Sequence, residues 1–385
     1  MSYLIDLECP QCHQAFSAEK EQTFCHECRT PILARYDLAK LRRDLDRDEL
    51  QLRPPGMWRW RELLPIHDLN YIASLGEGDT PLLPLPRLGK MLGIPKLWAK
   101  DESVNPTASF KARGLSAAVS KAKEIGLNKL AIPTAGNAGG ALAAYASRAR
   151  MKSSAVMPGD TPKVIINECQ LYGAKVVLID GLISDCVQVV AEMTSSGEWF
   201  SVSTFREPYR LEGKKIMGFE LAETFKWRLP DVIIYPTGGG TGLVGMWKAF
   251  LELKSLGWLE SSHLPKMVSV QSEGCAPVVK AFQSGSENCE FWENAETIAG
   301  GIRVPLSLAD RLILEIIRES GGSAVAVKDG AMIAAQNQLA KQEGIFASPE
   351  GAATLAAVNQ LLVDGTIQPT ESVVLFITAS GVKYI

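Results

Sequence analysis

The sequence predicts an α/β protein built on two doubly wound, mostly parallel sheets, with a small zinc-ribbon-like segment at its N-terminus. Three observations carry that expectation. From about residue 76 onward, apolar runs with strand character alternate with helical patterns. Several of those runs are apolar on both faces, as strands covered by helices on both sides must be. Four of the eight cysteines form two CxxC pairs between Cys9 and Cys28.

Residues 1–33 read as the ribbon. Cys9 and Cys12 stand in CPQC, Cys25 and Cys28 in CHEC, and HQAFSAEKEQTF between them is expected to make one short hairpin. Two-residue spacing turns both thiolates of a knuckle onto one metal, and two knuckles complete the four-sulfur set of structural zinc. So small a segment has little core, and metal binding would supply its stability. Local disulfides do not suit a reducing compartment. A redox CxxC would open a helix after a buried strand, and neither motif does so. Residues 34–75 read as a linker arm. It holds a short exposed helix and then the stretch PPGMWRWRELLP, whose Trp58 and Trp60 pack it onto the core.

Residues 76–385 form the main body, of which about 116–204 is a smaller subdomain. LAIP, SAVMP, KVVLID, WFSVS, DVIIYP, KMVSV, SAVAV and VVLFIT are its strands, mostly with room for a helix between them. Composition limits what this body does. With 46% apolar and 22% charged residues and a formal charge of −3, the chain has no electrostatic footprint for nucleic acid or an anionic membrane. No run is apolar enough to cross a bilayer. MSYLIDLECP lacks the basic and apolar regions of a signal peptide. A cytoplasmic protein with a small-molecule partner is expected.

In open α/β sheets the ligand lies beyond the carboxyl ends of the strands. Three loops with unusual chemistry leave such ends: TAGNAGG, PTGGGTG and TASG. In the second, Gly238, Gly239, Gly240, Thr241 and Gly242 lead into a helix, so free N–H groups can cradle a phosphate. Gly240 to Gly245 also matches GxGxxG, with Glu273 after the next strand, so a dinucleotide site and an NAD-dependent oxidoreductase compete. A turn serving backbone geometry alone is the third reading. Asn137 sits in a tight turn, where asparagine often serves geometry only. There Gly136, Gly139 and the exposed N–H groups also suit a carboxylate. Thr378 and Ser380 are hydroxyls at a strand end that either satisfy backbone groups or reach a ring nitrogen.

Lys111, in NPTASFKARG, is either a solvated charge or the reactive centre. A lysine desolvated in a cleft loses proton affinity and attacks carbonyls. A phosphate cradle, an asparagine donor and a hydroxyl for a ring nitrogen are what pyridoxal phosphate requires. Only His67 and His263 lie outside the ribbon, so no histidine base rivals Lys111 in number.

With GEGDTPLL, NPTASFKARG, TAGNAGGALAAYA, PYRLEGKK, PTGGGTGL, QEGIFASPEGAA and TASGVK in this order, the chain from Gly76 to its end resembles the fold-type II pyridoxal-phosphate enzymes. Among them it is most similar to the threonine synthases. The resemblance implies a tryptophan synthase β-like fold, and some members carry an N-terminal cysteine segment. It implies Lys111 as Schiff-base lysine and acid/base, Asn137 on the cofactor's phenolic oxygen, and Gly238 to Gly242 with Thr241 around its phosphate. Thr378, rather than Ser380, would face the pyridine nitrogen. Thr134, Ala135, Gly136 and Ala138 would hold the substrate carboxylate, and Arg210 the phosphate of O-phosphohomoserine. A homodimer is implied as well. The implied reaction is the lyase conversion of O-phospho-L-homoserine and water to L-threonine and phosphate, in amino-acid biosynthesis.

The chain also departs from the synthase pattern. Ala112 replaces an acid, Ala135 and Ala138 lack hydroxyls, and Thr204 and Phe205 stand where an Asn-Ser pair is usual. Gly239 belongs to a loop closer to the dehydratases, and IRVP replaces IRxG. Each lost hydrogen bond to a charged substrate group costs on the order of 1.5–3 kcal/mol. The alternative on the same cofactor is therefore β-elimination from serine or threonine, or β-replacement as in cysteate synthases. A catalytically silent relative that binds partners through the ribbon is a further alternative.

Overall fold

Both cysteine knuckles are tips of hairpins. β1 (Leu4–Glu8) turns through Cys9–Cys12 into β2 (Ala15–Phe16), and β3 (Phe24–Cys25) turns through Cys25–Cys28 into β4 (Thr30–Pro31). The single hairpin expected between the knuckles is not what forms. That segment contributes one short strand to each of two hairpins, which leaves both knuckles at turns. β5 (Leu33–Tyr36) pairs antiparallel with β1, so this sheet runs past residue 33. α1 (Leu38–Asp44) follows, capped by the Asp37 side chain on the Lys40 N–H. The computed structural model describes residues 1–181 and 183–385.

The arm is held tightly. Trp60 is 1% exposed and meets Phe219 at a centroid distance of 5.0 Å. Burying a side chain of this kind contributes about 2–3 kcal/mol. Leu7, Cys9, Cys25, Ile32, Trp60, Phe219 and Trp227 belong to one apolar cluster, so the ribbon folds back and shares a core with the main body.

The main body opens with β6 (Leu82–Pro84), α2 (Pro86–Leu92) and β7 (Leu97–Asp101). Next come α3 (Lys111–Glu124), β8 (Lys129–Pro133), α4 (Asn137–Ala149), β9 (Lys152–Pro158), α5 (Lys163–Leu171), β10 (Lys175–Ile179), α6 (Ile183–Ser195) and β11 (Phe200–Ser201). The chain continues through α7 (Tyr209–Thr224), β12 (Val232–Pro236), α8 (Thr241–Leu256), β13 (Lys266–Ser272), α9 (Pro277–Ser284), α10 (Asp310–Glu319) and β14 (Ser323–Val327). It ends with α11 (Asp329–Gln338), α12 (Pro349–Val363) and β15 (Val373–Ile377).

Two sheets result. The smaller, in the order β10-β9-β8-β11, is parallel throughout. The larger, β14-β13-β12-β15-β7-β6, is parallel except for the antiparallel edge strand β6. β12 and β15 are buried along their whole length, which accounts for their unbroken apolar runs.

A buried ion network ties the body together near Lys111. Arg113 on α3 bonds Glu102 and Glu220, each at 2.6 Å, and Lys100 on β7 bonds Glu220 at 2.6 Å. No helix among the described residues is long and apolar enough to cross a membrane.

Candidate active site

Lys111 opens α3 because of what precedes it. The Phe110 N–H donates to the Thr378 carbonyl at 3.0 Å, and the Ser380 N–H to the Ala108 carbonyl at 3.0 Å. These bonds stitch NPTASF to TASG, so one sequence motif positions the other. Thr107 and Ala108 lie at φ 59° and 52°, left-handed positions that cost non-glycine residues of order 1–3 kcal/mol and persist only where surroundings enforce them. The Lys111 amine makes no hydrogen bond to a described residue and lies 4.3 Å from the Phe110 ring centroid. Burial, then the positive charge of Arg210, pushes its pKa down to about 7; Glu350 opposes the shift. A cation at a helix start is further disfavoured by the helix dipole.

Close helix packing brings the cations together. A side chain at Gly213 on α7 would collide with the Arg113 carbonyl, and one at Gly114 would meet the Arg210 carbonyl at 2.9 Å. Only glycine at these crossing points lets α3 and α7 approach as closely as they do. Arg210 is 1% exposed, and its Nη1 donates to the Val202 carbonyl at 2.7 Å.

β12 delivers the glycine-rich turn to the start of α8. Gly240 is its N-cap at φ +81°, in the left-handed region. The first N–H groups of α8 have no intrahelical acceptor and favour an anion. Gly245 instead lies against the Leu211 carbonyl and Lys215 N–H, where a Cβ would sit within 3.2 Å of both. It therefore serves the packing of α7 on α8, and the GxGxxG match has a helix-packing cause.

β8 delivers the remaining loop to α4. The Thr134 hydroxyl is engaged by the Gly136 N–H at 3.2 Å, inside the turn. Asn137 and Ala138 head the helix. Asn137 Nδ2 donates to the Tyr384 hydroxyl at 3.2 Å, which donates to Glu350 Oε1 at 3.0 Å; the Gly301 N–H donates to the same oxygen at 2.7 Å. Asn137 Oδ1, Glu350 Oε2 and the Tyr235 hydroxyl are buried without a partner.

One cleft between the two sheets is lined by Lys111, Asn137, Gly238, Gly239, Gly240, Thr241, Gly242 and Thr378. Other expected residues lie elsewhere. Ser380 turns away, its Oγ accepting from the Val382 N–H to cap the final turn. Thr134, Ala135, Gly136 and Ala138 do not line this cleft, nor does Arg210. Of the departures, Thr204 faces the cleft beside Gly239, whereas Phe205 and Ala112 are buried in apolar clusters. Tyr235, Glu350 and Tyr384 also line it and were not singled out from the sequence. The quoted stretches DVIIYP and QEGIFASPEGAA contain two of them, but nothing in the pattern marks which way those side chains turn.

The donor set fits pyridoxal phosphate. Free amides at α8 suit a phosphate, and an amine largely unprotonated just above neutrality suits a carbonyl. The unpartnered Asn137 and Tyr235 oxygens are what a bound polar group would satisfy.

Comparison with known proteins agrees. The family described as pyridoxal-phosphate dependent enzyme matches residues 73–379. A threonine synthase of Methanocaldococcus jannaschii is 34% identical over 376 residues, covering 97% of this chain and 92% of that protein. A threonine synthase of Methanosarcina acetivorans is 35% identical over 378 residues, covering 98% and 92%. Among solved structures, threonine deaminase isoform 2 of Solanum lycopersicum superposes with a TM-score of 0.68 at 20% identity, over 87% of this chain and 90% of that one.

Proposed function

This chain belongs to the pyridoxal-phosphate dependent enzymes, and on that premise we propose that it converts O-phospho-L-homoserine and water to L-threonine and phosphate. The observation that supports this most is Lys111, an amine with its pKa lowered to about 7 in the cleft that the head of α8 also lines. The chain's similarity to threonine synthases along almost its full length supports the substrate.

In this reading the N–H groups from Gly238 to Gly242, with Thr241, hold the cofactor phosphate. Asn137 bonds the ring oxygen, and Thr378 faces the ring nitrogen. When bound, pyridoxal phosphate withdraws electrons from an amino acid joined to it, which loosens bonds at Cα, Cβ and Cγ. Lys111 would take the Cα proton and then one from Cβ, so that phosphate can leave from Cγ, and would return protons to Cγ and Cα as water adds its hydroxyl at Cβ. Positioned acid–base work of this kind contributes roughly 10²–10⁴-fold. The hydrogen-bonded series Asn137–Tyr384–Glu350 holds the asparagine amide in one orientation.

A second reading, β-elimination from serine or threonine, draws on one feature. Arg210 is tucked onto the Val202 carbonyl and does not line the cleft, so among the described residues Lys111 is the one Lys or Arg lining it. Presenting the loaded protein separately with O-phospho-L-homoserine, L-serine and L-threonine separates the readings. Threonine formed from the first supports the synthase; a 2-oxo acid formed from the other two, with no threonine from the first, overturns it.

The four knuckle cysteines are proposed to hold structural zinc. Their sulfurs lie within 4.8 Å of one another, with Cys12 and Cys25 at 3.8 Å. Tetrahedral zinc–sulfur bonds of about 2.3 Å place sulfurs about 3.8 Å apart. A homodimer, carried over from the resemblance, is proposed as well, and the mass in solution tests it.

A further inference from the structure

We propose that Lys214 and Tyr235 form the side-chain half of the phosphate site at the head of α8, and that its occupant is the phosphate monoester of the cofactor. The inference rests on the pyridoxal-phosphate reading above and adds two residues to it.

Lys214 is the exception among the fully buried lysines. Lys100 pairs with Glu220 at 2.6 Å, Lys121 with Glu124 at 2.7 Å and Lys215 with Glu212 at 2.6 Å. Lys214 has no carboxylate among the described residues. Its polar partner is the Thr241 hydroxyl, on the first residue of α8. A buried ammonium without an anion is costly, so such a group either loses its proton or meets a charge brought from outside.

Tyr235 approaches the same point from β12. It is 2% exposed, its hydroxyl has no partner, and that hydroxyl lies where a side chain at Gly242, in the first turn of α8, would stand. Glycine at position 242 thus makes room for a phenol at the head of the helix. Phe110 lies between the groups. The Lys111 and Lys214 nitrogens lie 4.3 and 4.7 Å from its ring centroid, and the Tyr235 ring meets it edge-on at 6.2 Å.

The surrounding charge calls for an anion. Burial pushes all three cations down; the charges of Lys111 and Arg210 add to this at Lys214, and that of Arg210 at Lys111. The carboxylate among them, Glu207, is itself pushed up to about 7 by burial and spends its oxygens on the Tyr209 and Arg210 N–H groups. A phosphate dianion at α8 balances this excess. It would also satisfy the Tyr235 hydroxyl, which burial keeps protonated and therefore a donor.

The test compares pyridoxal phosphate with pyridoxal, which lacks the phosphate, by titrating apo protein and following the visible band of the lysine-linked compound. Lys214→Met is expected to weaken pyridoxal phosphate binding about 10–100-fold, the range of one lost charge-assisted hydrogen bond, while pyridoxal binding stays within about twofold. Tyr235→Phe, which keeps the ring packing, is expected to show the same discrimination at about 2–10-fold. It keeps the proposal testable should the methionine variant not fold. Equal weakening of both compounds, or of neither, overturns the proposal. A loss confined to a phosphorylated amino acid, with cofactor affinity unchanged, overturns the assignment to the cofactor's phosphate. Wild-type protein that takes up neither compound overturns the cofactor reading itself.

Discussion

Lys111 owes its chemistry to surroundings that strip its charge. Its pKa falls from 10.5 to about 7, so the amine is protonated below that pH and free above it. Capture of pyridoxal phosphate by apo protein is therefore expected to rise with pH to a midpoint near 7. Removing the repelling charge of Arg210 raises the lysine's proton affinity, so Arg210→Met should move that midpoint to higher pH; an unmoved midpoint would remove Arg210 from the account. Lysine between an aromatic and an arginine was readable as reactive because the chain holds few rival bases and three strand-end loops with ligand chemistry. Tyr235, Glu350 and Tyr384 were not readable. Their roles arise from orientation across the cleft, which has no signature in local pattern. Arg210 was named from resemblance, and its position behind the cleft wall depends on how α7 rotates against α3.

At the scale of elements, the crossing of α3 and α7 decides where the cations stand. Gly213 lies against the Arg113 backbone and Gly114 against that of Arg210. Gly213→Ala inserts a methyl group where backbone blocks it and should cost about 1–3 kcal/mol, measured by denaturant unfolding. The same variant should weaken cofactor uptake, because it displaces Lys111 and Lys214 together. Strands such as DVIIYP and VVLFIT were legible as apolar runs because both their faces are covered. β7 was not, since Lys100 and Asp101 interrupt its pattern; Lys100 is tolerated in the interior only because Glu220 neutralises it. The ribbon hairpins were misjudged for a related reason. Strands of two residues carry no periodicity, so their partners are set by the turns between the cysteines.

Across the whole molecule, the ribbon, the arm and the catalytic body share apolar core, and charge locks the body internally. Glu220→Ala leaves Lys100 buried without a carboxylate and takes from Arg113 one of its two, Glu102 remaining, and should cost about 3–5 kcal/mol. Because Cys9 and Cys25 lie in the cluster that also holds Phe219 of α7, stripping the zinc proposed there is expected to lower the melting temperature and loosen cofactor binding together. Cofactor affinity untouched by complete metal removal would separate the ribbon from the site. The order of the motifs along the chain made the two-sheet plan and its shared cleft legible; the docking of the ribbon was not, since it depends on contacts between distant segments. What remains to be measured is the synthase reaction at Lys111. Its most direct test gives cofactor-loaded protein O-phospho-L-homoserine and measures phosphate and threonine together, beside Lys111→Ala. Both products are expected to rise one for one, and the variant to lose at least about 10²–10⁴-fold of the rate. Phosphate without threonine, neither product, or normal turnover by the variant would contradict it.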